Sequence, residues 1–278
     1  MAEIQRLGDQ IVGEIESLPV RAIPILYEGT EFSMEKYLFI TNELVRQSEG
    51  RRMNIQLYVD FYYECLKLFL HFGSAIKLAF KDIQEKADRI KGNRDLLAEK
   101  GLVGRGSPEH TFIEEFVDFE FARKLAFLNS DNNKKVLKEA HGGRAEELER
   151  WMFGYQSTAW VFIKGAWLFD YMYGIFSLMV QDREMTLTNI ASKAYDVALA
   201  PHHNWFLQRA ARMGIMACTS RQNFLKSLCE EQTRIAGGPA YTQQAFYRDM
   251  NQLVPLFKRL SEHIWGFYER KGIKDDIP

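Results

Sequence analysis

Apolar residues recur along most of this chain at steps of three and four, the spacing of one face of an α-helix. The clearest run is 242–270, where Phe246, Met250, Leu253, Phe257, Leu260, Ile264 and Phe267 form a single stripe. Pro255 predicts a bend within it. The same spacing predicts helices near 34–48, 54–71, 75–91, 111–128, 151–180, 186–200 and 203–217. A shorter one is predicted at 220–229, capped by Ser220. Pro201 parts the runs at 186–200 and 203–217, because proline breaks the hydrogen-bond ladder or kinks the axis. Strand signals are nearly absent: no sustained alternation and no Asn-Gly hairpin. The stretches Gly92–Pro108, Asn129–Arg144 and Gly237–Ala240 read as connections. The pattern predicts an all-α fold.

Composition narrows the classes of function. The chain has 278 residues, 46% of them apolar and 26% charged, an ordinary globular balance with ample material for a core. A net charge of -1 gives no general attraction to nucleic acid or to an anionic membrane. Cys65, Cys218 and Cys229 lie in apolar helical stretches without metal-site or disulfide spacing, and read as buried thiols in a reducing compartment. The first twenty residues carry charge throughout, unlike a cleavable signal. The apolar run 151–180 is interrupted by Lys164 and Asp170, each costly at a bilayer centre. The expectation is a soluble cytoplasmic protein.

Catalysis has no support in the sequence. There is no His-Glu-x-x-His, no phosphate-cradling Gly-Lys-Ser/Thr loop and no Gly-x-Ser-x-Gly. His202-His203 and Glu262-His263 are adjacent pairs whose side chains point to different helix faces, so neither chelates readily. The glycines at 101, 104 and 106 follow no strand. No catalytic residue, metal or cofactor is expected, and no nucleic-acid partner.

The residues that do carry chemistry are scattered. Asp82, Lys86 and Arg89 are spaced four and three apart, on one face of a helix. His203 and Trp205 lie more than a hundred positions downstream. One carboxylate, two cations and an imidazole amid aromatic sequence imply a polar grip at the mouth of an apolar pocket. The plainer readings are solvated charge pairs and a structural histidine.

The stretch from Asn189 to Leu199, with Ala194-Tyr195 and Ala198-Leu199, followed by His203-Asn204-Trp205, resembles the core of the glycolipid transfer protein family. Ser220 to Leu228 resembles that family's next helix start. Upstream, Gly73-Ser74, Asp82-Ile83 and a basic residue seven after the aspartate match its head-group helix, and Phe162-Ile163-Lys164 falls where the family has a Trp-Leu-Lys or Arg-Leu-His triplet. The resemblance spans roughly residues 54–270, in matching order. It implies a two-layer helical sandwich whose interior opens to admit sphingolipid chains, and a carrier that moves sphingolipids between membranes without chemistry on them.

By the same resemblance, Asp82 would accept from the ceramide amide N–H and His203 would donate to the amide carbonyl. Lys86 and Arg89 would hold the head group, with Trp205 packed beside His203 and Lys164 in support. The tunnel would be lined by phenylalanines and leucines of the helices at 54–71, 111–128, 151–180 and 203–217.

Lys86 follows the ceramide-1-phosphate branch. The branch-deciding Trp or Arg position falls on Phe162 and its neighbour one turn earlier on Thr158, unless the register shifts by two and brings Trp160 into place. His202 replaces the family's tyrosine. These departures keep a second reading open, in which the fold serves as a structural or interaction subunit with an idle or permanently filled pocket. The expected organisation is an extension over 1–50 with one helix, a lipid-binding domain over 51–272 and a tail over 273–278. Residues 1–50 and 129–146 are the candidate protein-contact segments.

Overall fold

The helices start where capping side chains allow. In a computed structural model the chain is described over residues 31–73, 77–102, 112–126, 128, 133–140 and 155–273. Those residues form ten α-helices: α1 (Met34–Glu49), α2 (Ile55–Leu70), α3 (Lys77–Glu99), α4 (Ile113–Ala122), α5 (Asn133–Ala140), α6 (Thr158–Gln181), α7 (Leu187–Ala198), α8 (Trp205–Met216), α9 (Arg221–Ala236) and α10 (Gln243–Arg270). Asn54 caps α2 by accepting from the backbone N–H groups of Gln56 and Leu57. Ser220 caps α9 through Asn223 N, as its sequence position predicts. No strand occurs among the described residues, only an isolated bridge between Asn54 and Phe112.

Several boundaries differ from the pattern. α3 continues through Gly92 to Glu99, because Asn93 docks on a neighbouring helix and outweighs the weak helix propensity of glycine. The stretch read as a polar connection at 129–144 contains α5. α9 is longer than expected and ends at Gly237, whose φ of 59° is the left-handed stop that glycine permits. Pro255 lies inside α10 as expected. Cys65 is buried, whereas Cys218 and Cys229 are only partly so.

α1, α2 and α3 pack side by side, as do α7, α6 and α10, and the two sets face one another as two layers. The interface between them is aromatic. Phe61 on α2 meets Phe169 on α6 with ring centroids 4.7 Å apart, and Tyr37 of α1 stacks on Phe61 at 5.3 Å. Phe257 of α10 closes the cluster against Phe61 and Phe176. Aromatic pairs at these separations add to what area burial contributes. Gly165 allows the close approach of α2 to α6: a Cβ there would lie 1.7 Å from the Tyr58 hydroxyl. Because Tyr37, Ile40 and Leu44 of α1 are fully buried, α1 is part of this core and not an appendage to it. Residues 1–30 of the expected extension lie outside the described residues.

One buried carboxylate fixes where α6 begins. Glu120 of α4 accepts from the Tyr155 and Ser157 hydroxyls and from the backbone N–H groups of Thr158 and Ala159, all at 2.6–2.7 Å. These are the orphan donors of a helix N-terminus, met by an anion that the helix dipole also favours. Burial raises the carboxyl pKa of Glu120, and the four donors oppose that rise. At the other end, the Arg221 guanidinium donates to the carbonyls of Met179, Asp182 and Met185. α6 is therefore held at both ends, and its outward stripe is fixed in place.

Candidate functional site

α3 packs against α2, α6 and α8. Asn93 sets its rotation: its side-chain amide donates to the Gln156 carbonyl at 2.7 Å and to the Thr158 hydroxyl at 2.9 Å. Positions 86, 89 and 93 share one helical stripe, so the contact that seats Asn93 turns Lys86 and Arg89 in the same direction. Both are half-buried. The Asp82 backbone lies one turn before Lys86 in α3, and its side chain lies outside the described residues. On the flank, Arg89, Asn93, Glu85, Asp88, Gly92 and Gln156 line an open cavity of about 460 Å³. Glu85 and Asp88 set negative charge beside Arg89 on this flank.

His203 is held by a turn that the sequence reading did not resolve. Pro201 sits in a 3-10 turn, Ala200–His202, after α7, and His203 leaves it in extended conformation. The Gln208 side chain donates to the carbonyls of both Ala200 and His203 at 2.9 Å, and Asn204 caps α8 through Leu207 N. His203 Nδ1 lies 2.9 Å from the Tyr195 hydroxyl, which fixes the ring and leaves Nε2 as its other polar edge. Tyr195 and Gln208 are thus positioning residues. Both stand in the sequence, Tyr195 within the quoted motif, but only the turn reveals what they hold.

On α6 the candidate residues divide. Trp160 and Lys164 are one turn apart and half-exposed, with the ammonium 4.7 Å from the indole centroid, a cation–π pair. Phe162 points the opposite way. It is 0% exposed, and Tyr58, Phe267 and Tyr268 surround its ring at 5.6–5.9 Å. Phe162 therefore offers no face to a head group, which corrects its place in the candidate set. Thr158 is likewise buried and bound to Asn93. Trp160 and Lys164 thus lie on a part-exposed side of α6, and Phe162 on its buried side.

α8 gives a second correction. Expected to line the interior, it instead buries only Ile215 completely. Trp205 is 68% exposed and Phe206 75%, and Leu207, Met213 and Met216 are exposed as well. The Trp205 ring lies against Phe206 and Arg209, while Tyr195 is the ring beside His203. A helix that presents its apolar side outward next to His203 is a surface with an unfilled function.

Ser227, His71 and Glu231 have the connectivity of a nucleophile, base and acid, at 2.8 and 2.7 Å. Ser227 lies mid-helix in α9, where backbone N–H groups are spent on the helix and none is left to hold an oxyanion. Glu231 also accepts from Phe32 N. The trio ties the end of α2 and the start of the described chain to α9.

The glycolipid transfer protein family matches residues 53–230, from α2 into α9. The chain belongs to the glycolipid transfer protein family. Its fold is shared with the lipid-free mouse ceramide-1-phosphate transfer protein (14% identity, TM-score 0.63, 89% of this chain and 100% of that one). It is also similar to the human ceramide-1-phosphate transfer protein bound to 12:0 ceramide-1-phosphate (13%, TM-score 0.61, 88% and 98%). A mutant of Arabidopsis ACD11 (accelerated-cell-death 11) bound to ceramide-1-phosphate matches at 16% and TM-score 0.61, over 86% and 96%. Lys86, Arg89, Trp160, Lys164 and His203 all fall inside the family match, whereas α1 and α10 lie beyond it and still complete the core. Among the described residues no helix is long and apolar enough to cross a membrane.

Proposed function

We propose that the chain binds a sphingolipid by its amide and head group and carries it between membranes. Asp82 is assigned the amide N–H and His203 the amide carbonyl. One acceptor and one donor satisfy both polar groups of a secondary amide in an apolar site, where either left unpaired costs about 1–3 kcal/mol. Lys86 and Arg89 are assigned the head group, with Lys164 and Trp160 across from them on α6. The observation that carries the reading is the packing of α3 on both α6 and α8, in a chain of this family. In this reading the cationic stripe of α3, the Trp160–Lys164 pair and the His203 turn serve one mouth.

Ceramide-1-phosphate is the ligand this set favours. Lys86, Arg89 and Lys164 can neutralise a phosphate that two cations alone would leave under-compensated. A sugar head group would rely on stacking against Trp160, whose ring Lys164 already engages. α8 is assigned to the membrane. Trp205, Phe206, Met213 and Met216 with Arg209 form an interfacial helix, and burying such side chains contributes up to about 1.5–3 kcal/mol each.

The test is transfer of fluorescent ceramide-1-phosphate and galactosylceramide between phosphatidylcholine vesicles. The wild-type chain should move ceramide-1-phosphate faster, and Asp82→Val should abolish uptake of either. Transfer by the variant at the wild-type rate would remove Asp82 from the amide site. A second reading, a family fold kept as a structural or interaction subunit, draws on Phe162 in the core at the branch-deciding position and on the ring-to-ring interior. Failure of the wild-type chain to move either lipid would favour it. The segment 129–146, a candidate protein contact, lies outside the described residues except for α5.

A further inference from the structure

Trp167 lies in the middle of α6, three residues beyond Lys164 and seven beyond Trp160, on the same helical stripe as both. Its indole is stacked flat on the His202 ring, with centroids 4.0 Å apart and planes 1° from parallel. His202 immediately precedes His203, so the indole lies beneath the turn that positions the amide-binding imidazole. Trp167 is 7% exposed, and its Nε1–H is buried without a hydrogen-bond partner among the described residues. Buried N–H groups are nearly always paired, and an indole N–H can only donate. A donor at this place can pair with an acceptor that comes from outside the chain.

We infer that Trp167 is a ligand-binding residue whose Nε1–H donates to an acceptor oxygen of the sphingolipid's polar part. The inference rests on the carrier reading above. The family register places its head-group Trp or Arg at Phe162, which is lost to the core. Trp167, five residues on, brings an aromatic N–H to the mouth side of the same helix. The flat stack on His202 fixes the plane of the indole, and His202 is exposed, so it can yield when a lipid enters. The unpaired donor destabilises the empty state, and pairing with the lipid removes that penalty. Loss of the N–H with the ring's shape kept therefore weakens lipid capture without weakening the empty protein, whereas under a purely packing role it would change neither.

The full chain, labelled with ¹⁵N, is titrated with phosphatidylcholine vesicles carrying ceramide-1-phosphate or galactosylceramide. The Trp167 indole signal, assigned by its loss in Trp167→Phe, should move downfield and become protected from exchange. A shape-preserving replacement by benzothienylalanine, with sulfur in place of N–H, should capture lipid about fivefold more weakly. The same replacement should melt no lower than wild type when empty. An indole signal that stays put while the wild-type chain captures lipid would overturn the inference and leave the carrier reading standing. So would an isostere that binds as tightly as wild type. If the wild-type chain captures neither lipid, the carrier reading falls and this inference falls with it.

Discussion

The centre of the molecule and its mouth are built on opposite principles. In the centre, Phe61, Phe169, Tyr37 and Phe257 meet ring to ring, and the buried Glu120 carboxylate nearby is held by four donors. At the mouth, α8 holds Trp205 and Phe206 in the open, the Trp167 N–H goes unpaired, and Lys164 rests against Trp160. Stability is concentrated where α1, α2, α6 and α10 meet. Exposed apolar side chains are concentrated on α8, beside the His203 turn. Binding surfaces draw on such exposed groups, because a site that covered itself would have nothing left to offer a ligand.

Phe61→Ala should break the centre most severely, lowering stability by about 3–5 kcal/mol in chemical denaturation. A loss under about 1 kcal/mol would mean that the aromatic cluster is looser than its ring distances imply. Glu120→Ala comes next, at roughly 3 kcal/mol, because it strands donors from Tyr155, Ser157, Thr158 and Ala159 at the start of α6. Near-wild-type stability in that variant would show that the N-terminus of α6 does not depend on this carboxylate.

The mouth should respond in activity instead. Trp205→Ala with Phe206→Ala should slow intermembrane transfer about tenfold while leaving stability unchanged, as both side chains are exposed. Equal transfer rates would move the docking surface away from α8. The smallest effect is electrostatic. Partial desolvation, with the Trp167 indole covering one face of the ring, lowers the pKa of His202 from its ordinary 6.5, with nearby Asp170 opposing. Between the folded value and 6.5, the unfolded chain holds a proton that the folded chain lacks, so stability is lost as pH falls through that window. Thermal melts of His202→Phe should show less of this acid slope than wild type, and an identical slope would assign it to other groups.

The same contrast decides what was legible in the sequence. The stripe of α10 and the helices near 34–48, 54–71 and 186–217 could be read from periodicity, since burial imposes a repeat that survives without any knowledge of the neighbours. The motif around Tyr195 and His203 gave the family. What escaped was directional. Periodicity cannot say that α8 turns its apolar side outward, because an interfacial helix and a core helix share one pattern. Nor can it choose between Phe162 and Trp160, two positions apart on the same apolar helix, until the rings of Tyr58, Phe267 and Tyr268 enclose Phe162. Gln208 and Trp167 give no local signal at all: the one acts through two carbonyls of a turn, and the other through a stack with a residue 35 positions away.

Native mass spectrometry of the chain after incubation with vesicles carrying ceramide-1-phosphate and galactosylceramide tests the central claim most directly. The account predicts one sphingolipid bound per wild-type chain, ceramide-1-phosphate in preference, and none on Asp82→Val. A wild-type chain that stays lipid-free, or a variant that carries the same lipid, would contradict it.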